Sequence, residues 1–126
     1  MTTLKQALRS HNKLKKTVEE IAARHPRKRG RNFDDYGNTY CIYFKGSKPS
    51  CIIGHAFHEM GVSQSEFEYC NDDSITGLFL TAGYEIPLSV LRWLEDVQEA
   101  QDDGAYWKDA VSMANESMKE KSACFV

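Results

Sequence analysis

The sequence predicts a mainly α-helical protein: a single small domain over residues 1–126, with five to six helices and a minor β element near residues 39–44. Three observations carry this. Apolar residues recur at helical spacing through the first 25 residues and again after residue 87. One segment, TYCIYF (39–44), has the aromatic and β-branched content of a strand. The chain has 126 residues, 41% hydrophobic and 27% charged, which is enough for one core and ordinary for one globular domain.

The elements follow in order. Thr3-Leu-Lys-Gln6 reads as a capping box, with a hydroxyl for the orphan amides and a Gln three residues on. Behind it Leu4, Ala7, His11, Leu14, Val18, Ile21 and His25 form one stripe of a basic amphipathic helix over residues 1–25. Pro26 disfavours helical geometry at His25, so the helix stops there. The stripe is expected to pack on its own domain rather than form a coiled-coil seam. Residues 26–38 read as a basic loop followed by a turn around Gly37.

Residues 39–126 then form an acidic helical body. The strand at 39–44 needs a partner: residues around Phe33, the tail, or another protomer. Gly46-Ser-Lys-Pro49 closes it. Ser50 is placed to cap a helix running through Met60, with Gly61 as its stop. Ser63-Gln-Ser-Glu66 reads as a second capping box that opens a short helix to Tyr69. ITGLFLTAG (75–83) reads as a buried helix, although Gly77 weakens it. Pro87 starts a helix that runs to Asp102-Asp103-Gly104, and YWKDAVSMANESMK returns antiparallel to it, with Trp107, Ala110, Val111, Ala114 and Met118 on one face.

Charge is distributed unevenly. Residues 1–31 carry ten Lys/Arg against two Glu, a net of +8; the rest carries six against sixteen acids, a net of −10. Such a split fits a basic arm that meets a polyanion, or a basic element docked on an acidic body. No run approaches the roughly 18 apolar residues of a membrane span, and the charged start has no signal-peptide core. A cytoplasmic location is expected, with Cys41, Cys51, Cys70 and Cys124 reduced.

The stretch most suggestive of chemistry is PSCIIGHAFHEMG, residues 49–61. On a helical wheel Ile52, Ile53, Ala56, Phe57 and Met60 fall within about 140°, a core face, and Cys51, His55 and His58 within about 60° opposite it. Thiolate and imidazole are zinc ligands, so zinc is the one cofactor to weigh, with Cys51, His55 and His58 as metal candidates. Against it, Cys51 and His58 lie about 10 Å apart along a straight helix axis, and HAFHE is not the His-Glu-x-x-His of zinc hydrolases. A Cys51–His55 nucleophilic pair lacks an orienting group, so no catalytic residue is assigned. The plainer expectation has Cys51 and His55 packed under another element and His58 near the surface. Gly54 supports it: a glycine in mid-helix costs on the order of 1 kcal/mol relative to Ala and points to close approach of another backbone.

Outside this stretch, Arg24, Arg27, Lys28, Arg29 and Arg31 form the candidate contact surface for nucleic acid or a partner. They could neutralise several phosphates, although no zinc-finger, RNP or helix-turn-helix pattern accompanies them. Tyr36, Tyr40 and Tyr43 could stack bases but sit where strand residues pack. Asp73 and Asp103 are placed like helix caps, and Trp93 and Trp107 like hairpin core.

The segments Pro49-Ser-Cys-Ile-Ile-Gly-His and Gln101-Asp-Asp-Gly-Ala-Tyr-Trp-Lys-Asp-Ala110 resemble two segments found in small uncharacterised proteins of actinobacterial phages, across residues 38–115. The resemblance implies the cytoplasm of an infected bacterium and brings no established activity with it. Three expectations follow, in order. The first is a non-enzymatic accessory protein that binds or inhibits a host protein, itself an oligomer if the strand edge or the charge split pairs copies. The second is a nucleic-acid-binding accessory protein using residues 24–31. The third is a zinc protein or Cys-dependent enzyme centred on residues 51–58.

Overall fold

The computed structural model describes residues 2–29, 32–33, 39–40, 42–71, 73–83 and 86–123. The chain is a single small, mainly helical domain. Its helices are α1 (Leu4–Arg9), α2 (His11–Arg24), α3 (Ile52–Glu59), α4 (Ile75–Ala82), α5 (Leu88–Asp102) and α6 (Trp107–Ala123), with a 3-10 turn at Gln64–Phe67.

The Thr3 capping box forms, with Thr3 Oγ1 taking the Gln6 amide and Gln6 Oε1 the Thr3 amide. The expected single helix to residue 25 is two, broken at Ser10 (φ −89°, ψ 48°). The break lets α1 bury Ala7 and Leu8 while α2 buries Leu14, Val18, Ile21 and Ala22 on the same core. The stripe therefore packs on its own domain, and the chain leaves α2 at His25 as Pro26 requires.

The β element lies where expected, as two short ladders. Thr39–Tyr40 pairs antiparallel with Asn32–Phe33, the first of the three partners the strand allowed. Phe44–Lys45 pairs antiparallel with Lys48–Pro49 around Gly46-Ser47, where Gly46 takes φ +65°, as a tight hairpin turn demands. Between the ladders the backbone serves α3 instead: Cys51 N donates to Ile42 O and Ser50 N to Tyr43 O. Asn71 extends the second ladder with its side chain, accepting from Phe44 N at 2.8 Å and donating to Phe44 O at 2.7 Å.

Helix α3 is the centre of the fold, with Ile52, Ile53, Gly54, Ala56 and Phe57 all buried. Its N-cap is Cys51 rather than Ser50, because Cys51 is the last extended residue and its Sγ accepts from Gly54 N at 3.3 Å. Gly61 (φ +89°) ends it, with Val62 N on Phe57 O and Gly61 N on His58 O, a Schellman closure. The second capping box does not form. Ser63 makes no cap bond, and Glu66 Oε1 instead accepts from Leu4 N at 2.7 Å, satisfying α1. Helix α4 is capped by Ser74 rather than Asp73 and buries Ile75, Leu78 and Phe79, but Leu80 is 76% exposed. Asp103 is the C-cap of α5, so it caps no helix N-terminus. Helices α5 and α6 form the expected hairpin around buried Trp93 and Trp107, with Trp93 Nε1 donating to Asn115 Oδ1 at 2.7 Å.

Candidate functional site

The three ligand candidates of residues 49–61 do not converge. Cys51 is fully buried, and being extended at the N-cap it leaves the helical wheel on which it fell beside the two histidines. His55 is half-buried: Nδ1 lies 3.0 Å from Cys51 O, and the ring meets Trp107 edge-on at 4.9 Å between centroids. His58 is exposed and touches the Phe44 ring. Among the described residues no group of three or more His, Cys, Asp or Glu is placed to hold a metal ion. Cys51 and Cys70 are not disulfide-bonded, and Cys41 and Cys124 lie outside the described residues.

A carbonyl can only accept, so His55 Nδ1 carries the proton and Nε2 presents a lone pair. Lys28 Nζ stands 3.4 Å from that Nε2 and 5.1 Å from the Trp107 ring centre. Burial holds the His55 pKa below its ordinary 6.5; the Cys51 carbonyl opposes this, and the charges of Lys28, His58 and His25 reinforce it. The segments 49–55 and 101–110 thus meet here. His55 packs on Trp107, and Gln101 Oε1, fully buried on α5, accepts the first amide of α3, Ile52 N, at 2.7 Å. Beside Gln101, burial pushes the Asp102 carboxyl up to about 6, against the pull of the Gln101 amide and with a smaller push from Asp103. Trp107 Nε1 is buried with no hydrogen-bond partner among the described residues.

The basic segment is held against the body. Pro26 O and Lys28 O accept from Lys108 N at 3.3 Å and Trp107 N at 2.9 Å, so the loop caps α6 with its own carbonyls. Arg24 pairs with Glu59. Arg29 lies 4.2 Å from the centre of the Tyr106 ring. Arg27 is exposed, and Arg31 lies outside the described residues. Tyr43 is buried, donating to Asp73 O at 2.6 Å, so it packs rather than stacks a ligand. Tyr36 and the Tyr40 side chain lie outside what is described.

Sequence reasoning missed one surface. Between α1 and the 3-10 turn runs a groove of about 570 Å³, lined by Leu4, Leu78 and Cys70 and by Lys5, Glu66, Glu68 and Asp73. Tyr69 stands in it 91% exposed, the most exposed large apolar side chain among the described residues. The only signal for it was an aromatic in an acidic run, Glu66-Phe-Glu-Tyr69, with no periodicity to place Tyr69 outside the core.

No protein-family model matches the chain, and neither a curated protein nor a solved structure matches it significantly. Among the described residues no helix is long and apolar enough to cross a membrane.

Proposed function

We propose that the protein is a non-enzymatic interaction protein whose acidic, apolar-floored groove receives a basic segment of a partner protein. The observation that carries this is Tyr69, 91% exposed in a groove lined by Leu4 and Leu78 and by the acidic residues Glu68 and Asp73, with Glu66 accepting from Leu4 N. Tyrosine is enriched among residues that dominate binding, because it buries a large rigid ring and keeps a polar tip. The carboxylates favour Lys or Arg on the partner and raise its on-rate. On the resemblance to phage proteins, the partner is a host protein met in the bacterial cytoplasm. The test places a photo-crosslinking residue at position 69 in the producing cell. One partner is expected to crosslink there, and a Glu68→Lys background should reduce its yield severalfold. Crosslinking at position 69 no stronger than at exposed Glu116 would defeat the reading.

A second reading, nucleic-acid binding by residues 24–31, is favoured by the exposure of Arg24, Arg27, Lys28 and Arg29 among the described residues. It requires binding that weakens steeply with salt and falls when these residues become Ser. Zinc on Cys51, His55 and His58 would have to displace the Gly54 amide from Cys51 Sγ. One zinc per chain in untagged protein would establish it.

A further inference from the structure

We propose that residues 25–29 are a proton-released latch: protonation of His55 expels Lys28 and undocks the basic loop from the N-terminus of α6. The latch has a lock and a hinge. The lock is the His55 Nε2 lone pair facing the Lys28 ammonium at 3.4 Å, with both groups against the Trp107 ring. The hinge is the chain leaving α2 at His25, whose C-cap geometry (φ −129°, ψ 61°) has already departed from the helix.

The lock works in one protonation state. With Nδ1–H committed to Cys51 O, a second proton can enter only at Nε2. That turns the acceptor of the Lys28 ammonium into a donor and sets two cations against each other. The surroundings give no relief. The charges acting on the ring are Lys28 and His25 from the loop and His58 from its own helix, each positive when protonated. Helix α6 presents the uncharged Trp107 ring, α5 reaches the start of α3 through the neutral Gln101 amide, and Glu59 is already paired with Arg24. The ring's depressed pKa agrees with this environment.

Release has a defined cost and a defined product. Beyond the lock, the loop is held by two backbone bonds, Trp107 N to Lys28 O and Lys108 N to Pro26 O, and by Arg29 over Tyr106. Their loss uncovers first-turn amides of α6 and frees Arg27, Lys28 and Arg29 to swing as one cationic segment. Acidification thus turns a docked basic loop into an available one.

The test follows exchange at the Trp107 and Lys108 amides by NMR from pH 8 to pH 5, corrected for intrinsic rate and referenced to interior amides of α5, while the His55 ring shifts report its titration. Protection of both amides should fall severalfold, with a midpoint at the His55 pKa, because the Lys28 charge that disfavours His55 protonation must by linkage be released when the ring is protonated. In Lys28→Met, an exposed position, the His55 midpoint should move up and the step should shrink. His55→Phe keeps the ring against Trp107 and should abolish the step. Protection that stays constant through the His55 titration overturns the proposal. So does a Lys28→Met variant with an unchanged His55 midpoint.

Discussion

At Gly54 a side chain has nowhere to go. A Cβ built there would lie 2.0 Å from Tyr43 O, and that carbonyl is fixed because it also accepts the Ser50 amide at 2.8 Å. Gly54→Ala should therefore lose stability, by at least about 2–3 kcal/mol despite the better helix propensity of Ala; a urea midpoint equal to wild type would show that the contact gives way. This residue was legible in the sequence, since a mid-helix glycine has a cost that needs a reason, and close backbone approach is the commonest one. The Cys51–His55–His58 grouping was misleading for an equally physical cause. A wheel assumes helical geometry at every position, and Cys51 is the extended cap just outside the helix. The roles of Asn71 and Gln101 could not be read in advance, because hydrogen bonds to distant backbone have no sequence period, and an aromatic in an acidic run was the one sign of Tyr69.

Local chemistry fixed where most helices begin and end, and long-range contacts decided the exceptions. Thr3, Pro26 and Gly61 act where their conformational preferences place them. The capping box at Ser63 failed because Glu66 is worth more to Leu4 N, a part-buried orphan amide, than to the start of a 3-10 turn. Ile42 and Tyr43 lie outside both ladders because their carbonyls accept the Cys51 and Ser50 amides at the entry to α3. That entry depends on one side chain. Ile52 N is buried and its acceptor is Gln101, so Gln101→Ala should cost about 1–3 kcal/mol for the unmade bond, and Gln101→Glu, which keeps an acceptor, should recover part of it near pH 5. Hydrogen exchange would place the loss: the Ile52 amide should lose protection before the interior amides of α6, and uniform loss across both helices would mean that Gln101 acts only as filler.

On the scale of the whole molecule, the +8 and −10 portions meet in one core, so the charge split is a matter of surface and titration rather than of separable domains. Two half-buried groups act on stability in opposite senses. His55 has its folded pKa depressed below 6.5, so the unfolded chain binds the proton more readily and stability is lost as pH falls from 6.5 through the folded value. Asp102 has its folded pKa raised from 3.8 to about 6, so the folded chain binds the proton more readily and stability is lost as pH rises from 3.8 through 6. Between pH 4 and 6.5 the two slopes oppose each other. Removing one should reveal the other. Asp102→Asn should stabilise the protein at pH 8 by on the order of 1 kcal/mol, once the half-exposure of the carboxyl is discounted, and the gain should vanish by pH 4. His55→Phe should give the mirror image, a difference from wild type that shifts in the variant's favour as pH falls below 6.5. Urea midpoints taken across that range, each variant minus wild type, test both. A flat difference curve for Asp102→Asn would mean that its carboxyl is solvated and ordinary, and a flat one for His55→Phe would remove the electrostatic basis of the latch along with it.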